Sequence, residues 1–472
     1  MMTKQNKRRL GLIQSAGGGR TLVMALCLLV TTARADAGPS ASADSPGPVA
    51  GDSSHDPTSI FKVGVAQRDI TPGKPVPMWG YGARHDCLSG GVLDPLRAKA
   101  LVIEAGQAKL AIVGMDLGRG PTPTMMDRIR QASAQRGIAN VLICGSHTHH
   151  GPVIELTDQP GFGKGKFADA VAYAKELPER IIAAILEADA NRRPARLGVG
   201  SRDLGLNRNR HTKRAETPTD PRLTVIRFDG QDGSPLAILV HYTAHPVLTA
   251  EEVLKFSADY PGSLQAMVEK ELKVPCVFIQ GAAGDQSANP PDGKRDPKSY
   301  GELLGGQVLE LTRAIATTVP RRPSVAARTD RFRFATRVNF KSSITFLLYS
   351  QSFFPELIRN FFHEFESGVR PEVTTVVLDG ELAIVGMSGE PFCQHSLRLR
   401  QRAYLPWVLV FGYCNGHQLY FPTIEAASEG GYGADPRVSP IALGAGETMI
   451  DRALINIYRL LGKFPEEPAA GE

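Results

Sequence analysis

The sequence is poor in cysteine, and this scarcity excludes two classes of small fold. Only six cysteines stand among 472 residues, and no two have the C-x-x-C spacing. A zinc ribbon needs such paired thiols, and a disulfide-rich scaffold needs a far higher cysteine density. We expect the scattered cysteines to be buried as small apolar side chains. They are Cys27, Cys87, Cys144, Cys276, Cys393 and Cys414.

Long apolar runs are also missing. The run at residues 22–30 is far shorter than the roughly 20 residues that a membrane-spanning helix takes. A basic stretch precedes it, and Ala33-Arg34-Ala35 follows it. This order is typical of a cleaved export signal, so we predict a signal peptide at residues 1–35 and a secreted or periplasmic protein. A lipoprotein cysteine at Cys27 is the competing interpretation, which the apolar residues after it disfavour.

The predicted mature chain lacks an excess of charge of one sign. The whole chain has a formal net charge of +6, but residues 1–35 contain six basic residues and no acid. The remainder is near neutrality, which excludes long-range attraction of nucleic acid by net charge. Five cysteines remain after cleavage, so at least one thiol is unpaired; the pairing of the others is left open. Residues 36–59, rich in small and polar residues, are predicted to be a disordered leader, and residues 60–472 one large catalytic domain.

Short runs of Val, Ile and Leu alternate with segments in which apolar residues have helical spacing. This alternation predicts an α/β domain with mixed, largely parallel sheets flanked by helices. An aromatic-rich segment at residues 344–362 has two interpretations, a pair of core helices, which we favour, or a lipid-facing rim. The predicted strands cover residues 100–103, 110–115, 141–144, 236–241, 274–279, 374–378 and 382–387. The predicted helices cover residues 124–135, 167–188, 261–272, 302–316 and 448–461.

Polar side chains follow four of these predicted strands where each strand ends. His147 follows the third strand, His245 the fourth, Ser287 the fifth and Glu390 the seventh. Open α/β sheets place their ligand sites at the carboxyl ends of the strands. We therefore expect these side chains to converge on one crevice.

The segment His147-Thr148-His149 has the pattern of a metal site. Alternate side chains of an extended segment point the same way, so His147 and His149 can face one cavity while His150 faces away. Imidazole is the commonest metal ligand, and such a pair suits zinc. Ordinary hydrogen-bonded histidines are the alternative, which His245 and Glu390 at neighbouring strand ends disfavour.

Longer motifs give the chain a resemblance to a known family. Residues 63–72 are VGVAQRDITP and residues 78–81 are MWGY. With the His-Thr-His segment, these motifs resemble the neutral/alkaline non-lysosomal ceramidases, over nearly the whole predicted mature chain. That family consists of zinc enzymes that hydrolyse the amide bond of N-acyl sphingosine. The resemblance implies a zinc-dependent amidohydrolase that converts a ceramide-like lipid to a fatty acid and a sphingoid base.

The resemblance also assigns residues. It implies that the zinc ligands are His147, His245, Glu390 and Tyr420, the last in the segment NGHQLY at residues 415–420. It implies four further active-site residues: the catalytic His149, Arg208, Ser287, and Tyr432, which lies twelve residues after Tyr420.

The chain departs from the family pattern in places that concern the substrate rather than the metal. His150 stands where the family usually has serine, Pro246 and Val247 follow the second ligand histidine, and residues 286–288 are Gln-Ser-Ala instead of Val-Ser-Pro. We also expect a short form without the family's C-terminal immunoglobulin-like domain. Amide hydrolysis is therefore better supported than ceramide as the substrate.

The implied mechanism addresses the stability of an amide. Zinc lowers the pKa of a bound water to about 7 and polarises the carbonyl. We expect Arg208 and a tyrosine hydroxyl to stabilise the oxyanion, His149 to deliver a proton to the departing amine, and Ser287 to orient the substrate. A nucleophilic Ser287 is the mechanistic alternative, although the chain lacks the Gly-x-Ser-x-Gly elbow there.

Two other classes of function stay open. One is a zinc esterase or peptidase, and the other is a lipid-binding protein without activity. As partners we expect a lipid N-acyl amide substrate and transient contact with a membrane surface.

Overall fold

The computed structural model describes residues 61–321 and 323–465. The predicted signal peptide and leader lie outside these residues, so those two predictions and the domain boundary at residue 60 remain predictions. Among the described helices, none combines the length and the apolar character needed to cross a bilayer.

The strands are short, and many of them are buried along most of their length. In chain order they are β1 (Phe61–Asp69), β2 (Arg97–Ala105), β3 (Ala108–Met115), β4 (Asn140–Gly145), β5 (Arg193–Asp203), β6 (Asn207–Asn209), β7 (Arg222–Gly230), β8 (Pro235–Tyr242), β9 (Cys276–Gln280), β10 (Gln286–Ala288), β11 (Val325–Arg331), β12 (Glu372–Leu378), β13 (Leu382–Met387), β14 (Glu390–Pro391), β15 (Trp407–Phe411) and β16 (Tyr420–Phe421).

The helices begin at recognisable signals. Thr122 and Asp296 each cap a helix with a side-chain oxygen, and a proline follows each cap at the first helical position, where its missing N–H costs nothing. The helices are α1 (Pro123–Ala134), α2 (Ala168–Ala190), α3 (Asp259–Leu272), α4 (Pro297–Ala314), α5 (Ser343–Tyr349), α6 (Pro355–Phe365), α7 (Cys393–Arg402), α8 (Ile424–Glu429) and α9 (Ala445–Leu460). A 3-10 turn occupies Gly82–Arg84.

Two sheets dominate the described residues. The larger has eight strands in the order β4-β3-β2-β1-β5-β7-β8-β9, and the smaller has four in the order β11-β12-β13-β15. Two further pairs, β10 with β6 and β14 with β16, lie outside these sheets. The β3–β4, β8–β9, β13–β15 and β14–β16 pairs are parallel, and the others are antiparallel.

The sheets and helices form four layers. Leu101, Ile112 and Leu239 of the large sheet pack against Ile384 and Leu409 of the small sheet. The opposite face of the large sheet is covered by α1 to α4, and the outer face of the small sheet by α7 and α9. Both sheets are thus buried on both faces, which explains why their strands are continuous apolar runs rather than alternating ones.

The predicted α/β class and mixed sheet are confirmed, and every predicted strand and helix overlaps an observed element of its type. The pairing is less parallel than expected, because only two of the seven pairings in the large sheet are parallel. Short connections join β2 to β3 and β7 to β8, and such connections can only form antiparallel hairpins. The expectation of largely parallel sheets was therefore wrong.

The aromatic-rich segment forms two helices that differ in burial. The favoured interpretation, a pair of core helices, holds for the second of them, and the lipid-facing interpretation stays a prediction. Helix α6 buries Leu357, Ile358, Phe361 and Phe365 in the main core. Helix α5 instead exposes three large apolar side chains, which are Ile344 (70 % exposed), Leu347 (67 %) and Leu348 (44 %). We call these three residues the α5 rim.

Candidate metal centre

Three polar side chains reach one buried point from the ends of three strands, each in a parallel pair. His147 follows β4, His245 follows β8, and Glu390 follows β13. The backbone turns sharply at two of these ends, since φ is +69° at His147 and +141° at Gly389. A Cβ on Gly389 would also lie 2.3 Å from the Phe421 ring, so only glycine fits before Glu390.

Backbone carbonyls fix the position of the Nδ1 proton in both histidines. The Nδ1 atom of His147 lies 2.6 Å from the carbonyl oxygen of Gly118, and that of His245 lies 2.8 Å from the carbonyl oxygen of Ala283. A carbonyl can only accept, so each Nδ1 carries the proton. In the neutral rings, both Nε2 atoms then present lone pairs. Burial lowers the pKa of His245 to about 3, which keeps that ring neutral.

The two Nε2 atoms face each other at 2.8 Å. Two acceptors with no proton between them repel, and both rings are fully buried, so no bulk water separates them. A cation between them removes this conflict. In the described structure the Arg210 guanidinium already donates to His245 Nε2 at 3.0 Å, which shows that positive charge is favoured at this lone pair.

Glu390 completes the donor set. Its Oε2 atom lies 3.2 Å from His147 Nε2 and 3.4 Å from His245 Nε2, and it is buried without a hydrogen-bond partner. Burial alone would raise the pKa of this carboxyl, but the neighbouring His147 and the hydrogen bond between His417 and the other carboxyl oxygen, Oε1, lower it well below its usual range. Donor atoms around a tetrahedral zinc are separated by about 3.3 Å, so these three atoms fit one divalent metal.

The second histidine of the His-Thr-His segment lies beside this donor set, and the third histidine points elsewhere. His149 Nε2 is 3.4 Å from His147 Nε2, while its Nδ1 has no partner. Burial, then the neighbouring His147, lowers the pKa of His149 well below its usual range. His150 contacts Arg84 and the Ala250 carbonyl instead. The alternation expected from the sequence thus places His149, and not His150, at the centre.

Tyr420 reaches the centre through strand pairing. Its strand β16 runs parallel to β14, with Tyr420 opposite Glu390. The Tyr420 ring is nearly parallel to that of His245, and its hydroxyl accepts a hydrogen bond from Arg210 at 3.1 Å. Burial, then the charge of Glu390, raises the pKa of Tyr420 well above its usual value. Tyr432 packs against Tyr420 at 5.6 Å between ring centroids, on the exposed side.

The arginine at the centre is not the one assigned from the resemblance. Arg208 is exposed on β6, whereas Arg210, just past the end of the strand, contacts His245, Tyr420 and the Gly284 carbonyl. The bond from the Arg210 backbone N–H to the Asp285 carbonyl turns the chain inward there. Ser287 of β10 lies opposite Arg208 of β6, and its backbone forms an isolated parallel bridge with His245.

An aromatic wall surrounds the histidines. Tyr413 stacks on His147 at 4.0 Å, and the Trp79 ring meets His147 and His149 edge-on. The Trp79 N–H and the buried Arg119 guanidinium both donate to Glu155, at 3.2 and 3.0 Å. This wall holds the rings in place and lowers the local dielectric, so charges inside interact strongly.

The centre contains a further histidine, His417, which was not predicted from the sequence. His417 Nε2 lies 3.1 Å from Glu390 Oε1. One possible ligand atom from each of His417, His147 and Glu390 lies within 4.8 Å of the other two. The same holds for one atom from each of His147, His149 and His245. The sequence signal that could have identified His417 is its position three residues before Tyr420.

Comparison with known proteins gives a family match. Residues 61–293 match the family described as neutral/alkaline non-lysosomal ceramidase, N-terminal. Residues 61–293 belong to the neutral/alkaline non-lysosomal ceramidase family. The resemblance seen in its motifs is thereby confirmed. The matched segment contains His147 and His245 but ends before Glu390 and Tyr420.

Relatives of this ceramidase-family chain are distant. Neutral ceramidase 3 from Arabidopsis thaliana is 27 % identical over 203 residues, which are 38 % of this chain and only 27 % of that protein. A crystal structure of neutral ceramidase from Pseudomonas aeruginosa has a TM-score of 0.69 at 17 % identity, covering 87 % of this chain and 76 % of that one. A structure described as ceramidase complexed with C2 has a TM-score of 0.68 at 16 % identity, covering 87 % and 77 %. These structures show that the fold is shared.

The donor set predicts that metal affinity depends on Glu390. We expect the Glu390→Gln variant to lose more zinc affinity than the 10–100-fold typical of changes outside the ligand shell, because an amide oxygen carries no charge. Titration calorimetry of chelator-treated protein with Zn²⁺ measures this. Asp116→Asn, at a buried carboxyl that contacts Arg97 and Gln265 instead, is the control; equal affinity in both variants would contradict the donor set.

Proposed function

We propose that this chain is an exported, zinc-dependent hydrolase that cleaves the amide bond of a ceramide-like N-acyl lipid into a fatty acid and a sphingoid base. The observation that carries the proposal is the pair of buried Nε2 atoms facing each other beside the unpartnered Glu390 Oε2. The family relationship supports the amide bond and the lipid class. The basic and apolar order of residues 1–35 supports export.

His147, His245, Glu390 and Tyr420 would hold the zinc. Imidazole and carboxylate donors with a neighbouring phenol suit zinc better than calcium or magnesium, which prefer all-oxygen sites. When bound, zinc polarises the amide carbonyl and lowers the pKa of a bound water to about 7.

Around that centre, different side chains of the protein would have different roles in the reaction. Arg210 presents a positive charge with Tyr420 as its partner, so it is placed to stabilise the negative oxygen of the tetrahedral intermediate. His149 has a free Nδ1 and is neutral, so it can accept a proton and pass it to the departing amine. Ser287 and Tyr432, at the edge of the metal centre, would orient the substrate.

The amide-hydrolase proposal predicts which substrates are cleaved. We expect release of sphingoid base from ceramide, lost on removal of the metal and restored by Zn²⁺, with little hydrolysis of matched esters or peptides. Amine release from a panel of N-acyl lipids, measured with and without a chelator, tests this. Preferential ester or peptide cleavage would favour the alternative zinc hydrolases, and zinc binding without turnover would favour the lipid-binding protein.

The serine mechanism makes a different prediction for the same assay. If Ser287 only orients the substrate, Ser287→Ala should raise KM more than it lowers kcat. Full activity after chelation, together with loss of activity in Ser287→Ala, would replace the zinc mechanism by a nucleophilic serine.

Arg208 and Arg210 are two residues apart, but only Arg210 contacts the side chains of the centre. We expect Arg210→Met to lower kcat by about 10²–10³, the effect of removing one oxyanion donor. Arg208→Met should leave kcat nearly unchanged, because that side chain is exposed on the strand. Steady-state kinetics of both zinc-loaded variants decides; the reverse order of effects would restore the role that the resemblance gives to Arg208.

The α5 rim is proposed to contact the membrane in which such a lipid lies. The rim is linked to the metal centre by short contacts: Ser352, just after α5, packs so closely on Gly82 that a Cβ there would lie 2.9 Å from it. The neighbouring Tyr81 ring lies 4.8 Å from that of His149. Exposed apolar side chains beside a site for a lipid favour interfacial binding.

Charging the rim should separate membrane contact from catalysis. We expect Leu347→Asp to reduce hydrolysis of vesicle-embedded ceramide roughly tenfold, because burying a leucine side chain contributes about 1.5–3 kcal/mol. Hydrolysis of a short-chain ceramide in detergent should stay unchanged. Leu303→Asp, at an exposed leucine of α4, is the control; equal effects of the two changes on vesicle hydrolysis would argue against the rim.

A further inference from the structure

One oxygen of Glu390 is held by a neighbour while the other is left free. We propose that His417 is a positioning residue that holds Glu390 so that its Oε2 atom faces the metal; this inference rests on the metal site of the proposed function. His417 Nε2 lies 3.1 Å from Oε1, which leaves Oε2 as the oxygen without a partner beside the two Nε2 atoms.

The ring of His417 is itself fixed in place. It is fully buried, meets the Trp79 ring edge-on at 5.4 Å, and lies nearly parallel to Tyr413 at 6.5 Å. A donor held this rigidly directs the carboxylate, because a rotation of the Glu390 side chain would break the bond to Oε1. Residues that orient a ligand in this way commonly change metal affinity by about 10–100-fold.

The local backbone couples this donor to another ligand. His417 lies three residues before Tyr420, and φ is +147° at Gly416 and +61° at Leu419 on either side. The Glu390 N–H bonds to the Leu419 carbonyl at 2.8 Å. One segment therefore supplies both the phenol of Tyr420 and the donor that orients Glu390.

The chemistry of glutamine allows a test with a rescue. The Nε2 amide of glutamine can replace the donor of the imidazole, whereas phenylalanine keeps the aromatic packing and removes the donor. We expect His417→Phe to weaken Zn²⁺ binding by about 10–100-fold and His417→Gln to stay within a few fold of the wild type. His395→Phe, at a fully buried histidine on α7 outside the centre, is the control for losing a buried histidine.

Calorimetry with Zn²⁺ gives the affinities, and the visible spectrum of the Co²⁺-loaded protein reports the ligand set. Wild-type affinity in His417→Phe would overturn the proposal. A glutamine variant that fails to recover, with an altered Co²⁺ spectrum, would also overturn it and make His417 a ligand. If the wild type takes up no zinc, the proposed function itself fails, before any variant is compared.

Cys144 and Cys414 face each other across an isolated antiparallel bridge. The Gly145 N–H bonds to the Tyr413 carbonyl, and the Asn415 N–H bonds to the Ile143 carbonyl. These flanking bonds make the cysteines a non-hydrogen-bonded pair, the narrow kind, in which the Cα atoms lie about 4.5 Å apart. Disulfides span Cα separations of roughly 4.4–6.8 Å.

We infer that Cys144 and Cys414 form a disulfide when the chain folds in an oxidising compartment. The two thiols lose two protons and two electrons to a disulfide oxidant such as oxidised glutathione, which is reduced to two thiols. Both sulfur-bearing residues are almost fully buried, so the bond forms during folding rather than afterwards. It would tie the end of β4, three residues before His147, to the segment that carries Tyr420.

Peptide mapping tests this directly. The chain is unfolded, refolded with oxidised and reduced glutathione or with reductant alone, alkylated and digested, and the peptides are identified by mass spectrometry. We expect a Cys144–Cys414 cross-linked peptide only after oxidative refolding, with Cys276 and Cys393 alkylated as thiols.

Protein secreted to the periplasm of an expression host gives a second sample that needs no refolding. The Cys144→Ala/Cys414→Ala double variant should lose the shift in melting temperature that reductant causes in the wild type. Alkylated Cys144 and Cys414 in both oxidised samples would overturn the inference.

Discussion

The structure around the centre depends on two imidazoles that cannot hydrogen-bond each other. Each ring of His147 and His245 gives its Nδ1 proton to a backbone carbonyl, and that choice forces both lone pairs toward one point. In water such an arrangement would relax by rotation of a ring. Here the packing of Tyr413 and Trp79 prevents it, so the repulsion is built into the folded state and a cation relieves it.

The two-sheet architecture explains how the donors meet. The parallel strand pairs are far apart in the sequence. They are β3–β4 and β8–β9 in the large sheet and β13–β15 in the small one. The large sheet curves so that β3 and β4 at one edge contact β9 at the other. The small sheet packs on it, so the carboxyl ends of these strands lie together, and the small β14–β16 pair adds Tyr420 opposite Glu390. A mainly antiparallel sheet thus still has its ligand site where parallel strands end, because only those ends supply the donors.

Sequence reasoning found the parts of the centre that follow long strands. His147, His245 and Glu390 each follow a continuous apolar run, and such runs are detectable without a structure. Tyr420 required the resemblance, since β16 has only two residues. Arg210 and His417 were missed for the same physical reason: their positions are set by turns and by long-range bonds to Asp285 and Glu390, and neither leaves a periodic pattern. Antiparallel pairing was underestimated because hairpin strands buried on both faces have the same composition as parallel ones.

Backbone strain is concentrated at this centre. Nine of the described residues other than glycine have φ between about +48° and +69°, and four of them, His147, Tyr413, Asn415 and Leu419, adjoin the metal donors. Such conformations cost on the order of 1–3 kcal/mol each and persist only where surrounding contacts overdetermine them. Asn415 shows how: its side chain bonds to the backbone of β4 on both sides and to Glu372. Because the strained residues and the facing lone pairs share the same segments, a bound cation stabilises the backbone and the donors together, and its removal should loosen this region before the rest of the two sheets.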